Sequence, residues 1–457
     1  MNALPENVDD TLQARLGASI ALLRRIPPVY ISGTVIALQG LLVEVGGLAT
    51  LLTIGDRVTL RCRDGRGVDA EVTGFRNGLT QVMAFGPLDG LGPGARAEVL
   101  TRYHSMIDVG PGWLGRIIDP LGQPLDGRGV LPAGVAPRPT RSAPPDATGR
   151  ARVGPRIDLG VRALNCFASC RQGQRLGLFA GSGVGKSTLL SMLARGTRCD
   201  AVVVALVGER GREVREFIED DLGPEGLAKS VVVVATSDAP PVMRRQCAYT
   251  AMTVAEHFRD EGKSVLLLMD SVTRFCLALR EIGLSSGEPP ATRGYPPSVF
   301  AELPRLLERA GPGPVLPDGT AGQITGLFTV LVEGDDTNEP VADAVRGILD
   351  GHVVLDRRIA EGGRYPAIDV GRSLSRLAPG CLDADQAQLV VRARAALALY
   401  ADMADMVRLG AYKSGSDPAV DEALRLAPAI EAMLRQGRDD TTGFDDSFAL
   451  LRQALEA

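Results

Sequence analysis

Aromatic residues are scarce in this chain. They make up 4% of its 457 residues, with a single tryptophan, and the stretch 29–100 offers no row of them on which nucleic-acid bases would stack. Positive charge is not in excess either. Lys and Arg number 50 against 55 Asp and Glu, a net charge of −5, which argues against non-specific nucleic-acid binding while leaving room for a local basic patch. Three histidines are too few for a histidine-built metal cage. The seven cysteines are odd in number and scattered, with no CxxC pair, the pattern of reduced thiols in a cytoplasmic protein. No apolar run reaches the ~18 residues that span a bilayer. The first residues carry Glu6, Asp9 and Asp10 where a signal peptide would be basic.

What is there centres on Gln174 to Thr188. An apolar strand-like run passes into Gly181-Ser-Gly-Val-Gly-Lys-Ser187, and a helical run follows from Leu189 to Arg195. Strand, glycine loop, Lys-Ser and helix are the layout of a P-loop, whose backbone N–H groups hold phosphate oxygens. Gly181, Ser182, Gly183, Val184, Gly185, Lys186, Ser187 and Thr188 are therefore the candidate phosphate-binding residues. Lys186 would supply a point charge and Ser187 a hydroxyl for Mg²⁺. The first glycine position of the strict pattern holds Ala180, at the strand end, where a small Cβ fits.

Around this motif the texture changes three times. Residues 1–26 place Leu12, Leu16, Ile20 and Leu23 near one helical face, and Pro27-Pro28 ends the run. The same pattern suits docking on a partner or anionic membrane and packing on the chain's own domain. From 27 to 100, short β-branched runs between glycine turns predict a small antiparallel barrel. Residues 110–156 are rich in turn residues and proline and read as loop and extended connector. From 101 to 378 continuous apolar runs (Arg175–Phe179, Ala201–Val207, Ser230–Ala235, Ser264–Met269 and Gly326–Val332) alternate with helical patterns, the signature of a doubly wound parallel sheet. From 379 to 457 the chain is Ala/Leu-rich and predicts a helical domain, with separate helices over Pro418–Leu426 and Ile430–Arg435.

Two carboxylates follow predicted strands, where open α/β sheets bind ligands. Asp270 ends Val265-Leu-Leu-Leu-Met269, the Walker-B placement for the Mg²⁺ shell. Glu209 follows Val202 to Gly208. It suits either water activation or an ion-pair network with Arg210 and Arg212. Hydrolysis also needs a guanidinium on the terminal phosphate. Arg274, Arg293, Arg346, Arg357, Arg358, Arg364, Arg372 and Arg376 are all available, and spacing does not choose among them.

Five motifs in order make the chain resemble the flagellar and type III secretion ATPases, relatives of the rotary ATP synthase catalytic subunits. They are Ala180 to Ser187, Gly208-Glu-Arg-Gly-Arg-Glu-Val214, Leu266 to Arg274, Gly287 to Phe300, and Ser373-Leu-Ser-Arg376. The Gly-Ser-Gly-Val-Gly-Lys-Ser form and Val161-Arg-Ala-Leu164 look closer to the flagellar than to the injectisome branch. Asn165 departs from the Asp usual in that family.

The resemblance implies a Mg²⁺-dependent ATPase energising export of flagellar proteins. Its implied residue roles are as follows: Glu209 positions the water with Arg210 in support, Arg274 lies near the γ-phosphate, and Asp270 and Ser187 serve the metal. Arg376 matches a finger reaching into the next subunit's site. Tyr365 matches an aromatic stacked on adenine, with Tyr412 closing the pocket. The implied assembly is a homohexamer, since Glu209 and Arg376 share one chain. The implied partners are a regulator, a stalk protein and exported protein–chaperone complexes, without nucleic acid. The implied location is cytoplasmic, peripheral at the inner face of the cell membrane. An injectisome ATPase shares the same chemistry. A rotary synthase subunit is disfavoured by having both catalytic halves in one chain, a nucleic-acid translocase by the composition, and a non-catalytic scaffold by the intact Lys186, Glu209 and Asp270.

Overall fold

The computed structural model describes residues 31–99, 106–332 and 339–456. The helix expected over 1–26 lies outside the described residues. The chain forms two compact units, one ending at His104 and one running from Ser105.

In the first unit, β1 (Ser32–Gln39), β2 (Leu42–Gly46), β3 (Arg57–Arg61), β4 (Gly67–Arg76), β5 (Leu79–Ala84) and β6 (Arg96–Val99) close an antiparallel barrel in the order β1-β2-β5-β4-β3-β6. Alternate residues such as Val35, Val45, Val58, Leu60, Val72 and Val82 point inward and are fully buried. Asn77 and Gly78, both at positive φ, make the two-residue turn from β4 to β5. Sequence patterning missed β6, a four-residue strand whose alternating Arg96 and Glu98 look like loop. It closes the barrel between β1 and β3.

The second unit is built on a sheet whose main strands are β7 (Arg116–Ile118), β8 (Arg175–Ala180), β9 (Ala201–Glu209), β10 (Ser230–Thr236), β11 (Ser264–Asp270), β13 (Gln323–Leu331), β14 (Gly351–Leu355) and β15 (Ile368–Ser375). The two-residue β12 (Gly311–Pro312) pairs beside β13. The order is β15-β14-β8-β13-β11-β9-β10-β7, parallel except at the β15 edge. The five predicted strands form its centre. Strand β7 lies within the stretch 110–156 read as loop-rich: three residues are too few to show a period, but they pair with β10.

Along β8, Leu176 and Leu178 face one core while Phe179 faces the other, and β9 and β11 alternate likewise. The first face is covered by α1 (Arg162–Phe167), α2 (Lys186–Gly196) and the carboxyl-terminal helices. The second is covered by α4 (Pro241–Asp260), α5 (Val272–Ser285), α6 (Pro297–Leu307) and α7 (Pro340–Ile348). After β9 comes α3 (Gly211–Glu216), which widens into a π-helical turn over Phe217–Leu222.

The tail is α8 (Ala384–Arg408), α9 (Pro418–Leu434) and α10 (Phe444–Glu456). The break expected near 427–429 is absent. Pro428 costs α9 one backbone hydrogen bond, but Leu426, Ile430, Met433 and Leu434 are buried on the same core and keep the helix whole. All seven cysteines are free, and all but the half-buried Cys199 are buried. No helix among the described residues is long and apolar enough to cross a membrane.

The departure at Asn165 has a local cause. Its buried amide donates to Asp158 Oδ1 (3.0 Å) and to the Thr442 carbonyl (3.2 Å), and its Oδ1 accepts from Leu159 N (3.2 Å). A carboxylate there would face a second carboxylate and a carbonyl with no proton to donate. Asn165→Asp is therefore expected to destabilise the fold by about 2–4 kcal/mol at neutral pH, with partial recovery near pH 5. Thermal unfolding at the two pH values measures this. Equal midpoints for variant and parent at pH 7 would refute it.

Candidate active site

Strand β8 ends at Ala180, and the chain turns through Gly183 (φ 76°) and Gly185 (φ 87°) into α2, which begins at Lys186. Both angles lie in the left-handed region that favours glycine. At Gly185 a Cβ would come 3.2 Å from the ring of Tyr365, so this ring lies directly on the loop. Tyr365 is 44% exposed, and its carbonyl accepts from Gln436 N (2.8 Å) just past α9. The other side of the loop is held by Arg357, whose Nη2 donates to Ser182 O (3.2 Å).

Lys186 lies between the two acids that end neighbouring strands. Its Nζ pairs with Asp270 Oδ1 at the end of β11 and lies 3.4 Å from Glu209 Oε1 at the end of β9. Glu209 and Asp270 are 7% and 3% exposed, so both charges sit away from bulk water. Burial opposes the Lys186 charge, but Asp270 and Glu209 together outweigh it and hold the ammonium above its ordinary range. Burial pushes the Glu209 carboxyl up and the Asp270 charge adds to this, against the pull of Lys186 and Arg274. Thr329 on β13 donates its hydroxyl to Asp270 Oδ1 (2.7 Å), which fixes that carboxylate.

Ser271 caps α5, accepting from Arg274 N (3.2 Å). Gly208 (φ 70°) lets the stem of Arg274 close in, since a Cβ there would come 3.3 Å from Arg274 Cβ. A cavity of about 660 Å³ opens beside the loop, lined among others by Ser182, Arg274, Arg280, Arg293 and Arg357. Ser187 is exposed at the first turn of α2.

Not every expected residue joins this cluster. Arg210 pairs with Glu213 (2.8 Å) on α3, its guanidinium turned outward. The Tyr412 hydroxyl lies 3.0 Å from both the Asp417 carbonyl and Asp421 Oδ1, either of which accepts its single proton, closing the loop between α8 and α9. Arg376 follows β15, where Ser375 pairs with Gly351, whereas the phosphate-loop end of β8 pairs Ala180 with Leu355. Four residues of β14 separate these levels, about 13 Å at strand rise. Arg376 thus lies towards the opposite end of the sheet from its own chain's loop. Sequence reasoning gave no role to Thr329, although an isolated Thr within Leu327-Phe-Thr-Val330 is the trace a buried polar strand residue leaves. It listed Arg357 among the available arginines without singling it out.

The nucleotide and metal fit this donor set. Among the described residues no three His, Cys, Asp or Glu gather to hold a metal. That suits Mg²⁺, which is held through one or two protein oxygens and substrate phosphates, with Ser187 and Asp270 as the protein oxygens at hand.

Comparison with known proteins agrees with the geometry. Residues 160–375 match the nucleotide-binding domain of the ATP synthase alpha/beta family, 35–100 match the beta-barrel domain of that family, and 382–453 match the T3SS EscN ATPase C-terminal domain. The chain is 55% identical to the flagellum-specific ATP synthase of Caulobacter vibrioides, over 96% of this chain and 99% of that one. It is 45% identical to the type 3 secretion system ATPase of Xanthomonas euvesicatoria, over 98% of each. Among solved structures, the assembled ATPase EscN from the enteropathogenic E. coli type III secretion system superposes with a TM-score of 0.84 at 38% identity, covering 93% of this chain and all of that one. EscN in complex with its central stalk EscO superposes with a TM-score of 0.83.

Proposed function

The chain belongs to the ATP synthase alpha/beta family, in its flagellar and type III secretion ATPase branch, and from that membership we propose how its residues carry out ATP hydrolysis to energise export of flagellar proteins. The backbone of 181–188 and Lys186 hold the phosphates. Ser187 and Asp270 hold Mg²⁺, which when bound neutralises the phosphate charge. Glu209 orients the attacking water, and Arg274 lies on the γ-phosphate side. Tyr365 stacks on the adenine, its ring already set against the loop. In the free enzyme Lys186 bridges Asp270 and Glu209, so the triphosphate replaces an ion pair that keeps two buried acids compatible.

The position of Arg376 carries the proposal. It sits away from its own phosphate loop, just past the end of an edge strand, so the guanidinium that completes catalysis comes from a neighbouring copy. A closed ring of identical subunits then completes every site, as a homohexamer, and the assembled EscN structures are of the same fold. By the same analogy a stalk protein binds the assembled ring, as the central stalk EscO is in complex with assembled EscN. A regulator, exported protein–chaperone complexes and peripheral attachment at the inner face of the cell membrane complete the reading. The alternative, injectisome export, has support from the Xanthomonas relative. Loss of motility rather than of effector secretion on deletion separates the two.

Turnover per chain is expected to fall as the protein is diluted below the ring's dissociation range. A phosphate-release assay run beside mass photometry measures this. Constant turnover down to a demonstrated monomer would falsify the shared site.

A further inference from the structure

Arg394 on α8 makes three hydrogen bonds, all to backbone carbonyls. Nη1 donates to Val370 O (2.5 Å), and Nη2 donates to Phe167 O (2.7 Å) and Ser373 O (3.1 Å). Its guanidinium also lies 5.6 Å from the centre of the buried Phe167 ring, at the end of α1. Val370 and Ser373 belong to β15, which pairs with β14 on one side only. Both fall where its ladder with β14 breaks, between the Asp369–Val354 and Leu374–His352 pairs, so their carbonyls lie outside the regular pairing. One planar fork pins the two, three residues apart, and ties both to α1. A lysine ammonium has no such fork.

The strand so held ends one residue before Arg376. On the paired side, Arg376 N donates to Asp350 O (2.9 Å), and its Nη2 reaches Arg346 O (3.4 Å) near the end of α7. The backbone of Arg376 is thus set by Asp350, just before β14, and one guanidinium nitrogen touches α7, while Arg394 holds the preceding strand from the other direction. The remainder of its side chain is exposed, as a group acting on another molecule requires.

We propose that Arg394 is a positioning residue for hydrolysis: it clamps β15 to α8 and α1 so that Arg376 is aimed into the neighbouring subunit's site. This rests on the shared-site reading above. Misplacing a catalytic group by about 1 Å lowers rate by up to ~10²-fold. Arg394→Met is therefore expected to lower kcat by about 10- to 100-fold with KM for ATP changed by less than about twofold. Arg394→Lys is expected to fall almost as far, with its unfolding midpoint close to the parent's.

The decisive measurement mixes chains. An Arg394→Met or Arg394→Lys chain has a sound pocket and a misaimed finger, whereas Lys186→Ala has a dead pocket and a sound finger. Single-turnover hydrolysis, with ATP below the site concentration so that dead neighbours do not stall the ring, is expected to exceed the sum of the separate preparations. Arg376→Ala mixed with Lys186→Ala is the control. Parent-like turnover of both Arg394 variants overturns the inference. So does low turnover that Lys186→Ala chains leave unrestored while they restore Arg376→Ala, because the fault then lies in the variant's own pocket or packing. If Arg376→Ala is itself not restored, the shared-site reading fails and the role of Arg394 falls with it.

Discussion

A Glu209→Gln chain is expected to bind ATP as the parent does and to hydrolyse it about 10²- to 10⁴-fold more slowly, the usual worth of a positioned general base. The amide keeps the shape and the capacity to accept a hydrogen bond, so the pocket is not rebuilt. It cannot take on negative charge or a proton, so the attacking water loses its partner. A fluorescent-nucleotide titration beside a phosphate-release assay separates the two effects. Loss of binding with unchanged turnover of the bound fraction would show that Glu209 supports the loop and takes no part in the chemistry.

The same substitution has a signature in stability. Burial, with the Asp270 charge beside it, raises the Glu209 carboxyl above its ordinary range. The folded chain then binds that proton more tightly than the unfolded chain. The group's contribution is fully present below the unfolded carboxylate's pKa, about 4.3, and is lost as pH climbs through the higher folded value. At neutral pH the parent bears this cost and the Gln chain does not. Its unfolding midpoint in the absence of nucleotide is expected to lie about 2 °C higher at pH 7, and the difference should shrink on acidification. A higher midpoint with lower activity is the mark of a site strained for function.

Arg376→Ala is expected to lower kcat by about 10³- to 10⁵-fold, the range for loss of an arginine finger, while nucleotide affinity stays near the parent's. Arg376→Lys is expected to recover little, since an ammonium lacks the fork that meets two phosphoryl oxygens. The side chain is exposed, and its one described side-chain bond is the 3.4 Å contact to Arg346 O. Truncation therefore leaves the fold intact, and circular dichroism and oligomer mass should match the parent's. Parent-like kcat in a ring-forming Arg376→Ala protein would remove the finger and, with it, the reason for sharing the site between copies.

The nucleotide cradle was legible before any coordinates. Its chemistry is carried by contiguous residues, and a glycine loop between an apolar strand and a helix has few other uses. Asp270 and Glu209 were legible because both close buried strands, whose continuous apolar runs no solvated segment imitates. The sequence left open which arginine, of eight, serves the reaction, and only strand order decided where each one lies. Arg376 stands far from its own loop because β15 runs antiparallel at the sheet's edge, and no local pattern encodes the direction of a partner strand. Strands β6 and β7 were hidden because four and three residues carry too little periodicity to outweigh turn-like surroundings.

Pro428 misled for the converse reason. The sequence reading gives two helices, 418–426 and 430–435, with Pro428 between them, and burial of one helical face keeps them one. Arg394 left no trace in the sequence at all, because its acceptors are backbone carbonyls, which every residue has. What the order of residues determined by itself was the candidate residues of one pocket and the succession of barrel, sheet and helices. Which distant groups meet, and which point away towards another molecule, was decided by packing, because those distances depend on strand order and direction across the whole sheet.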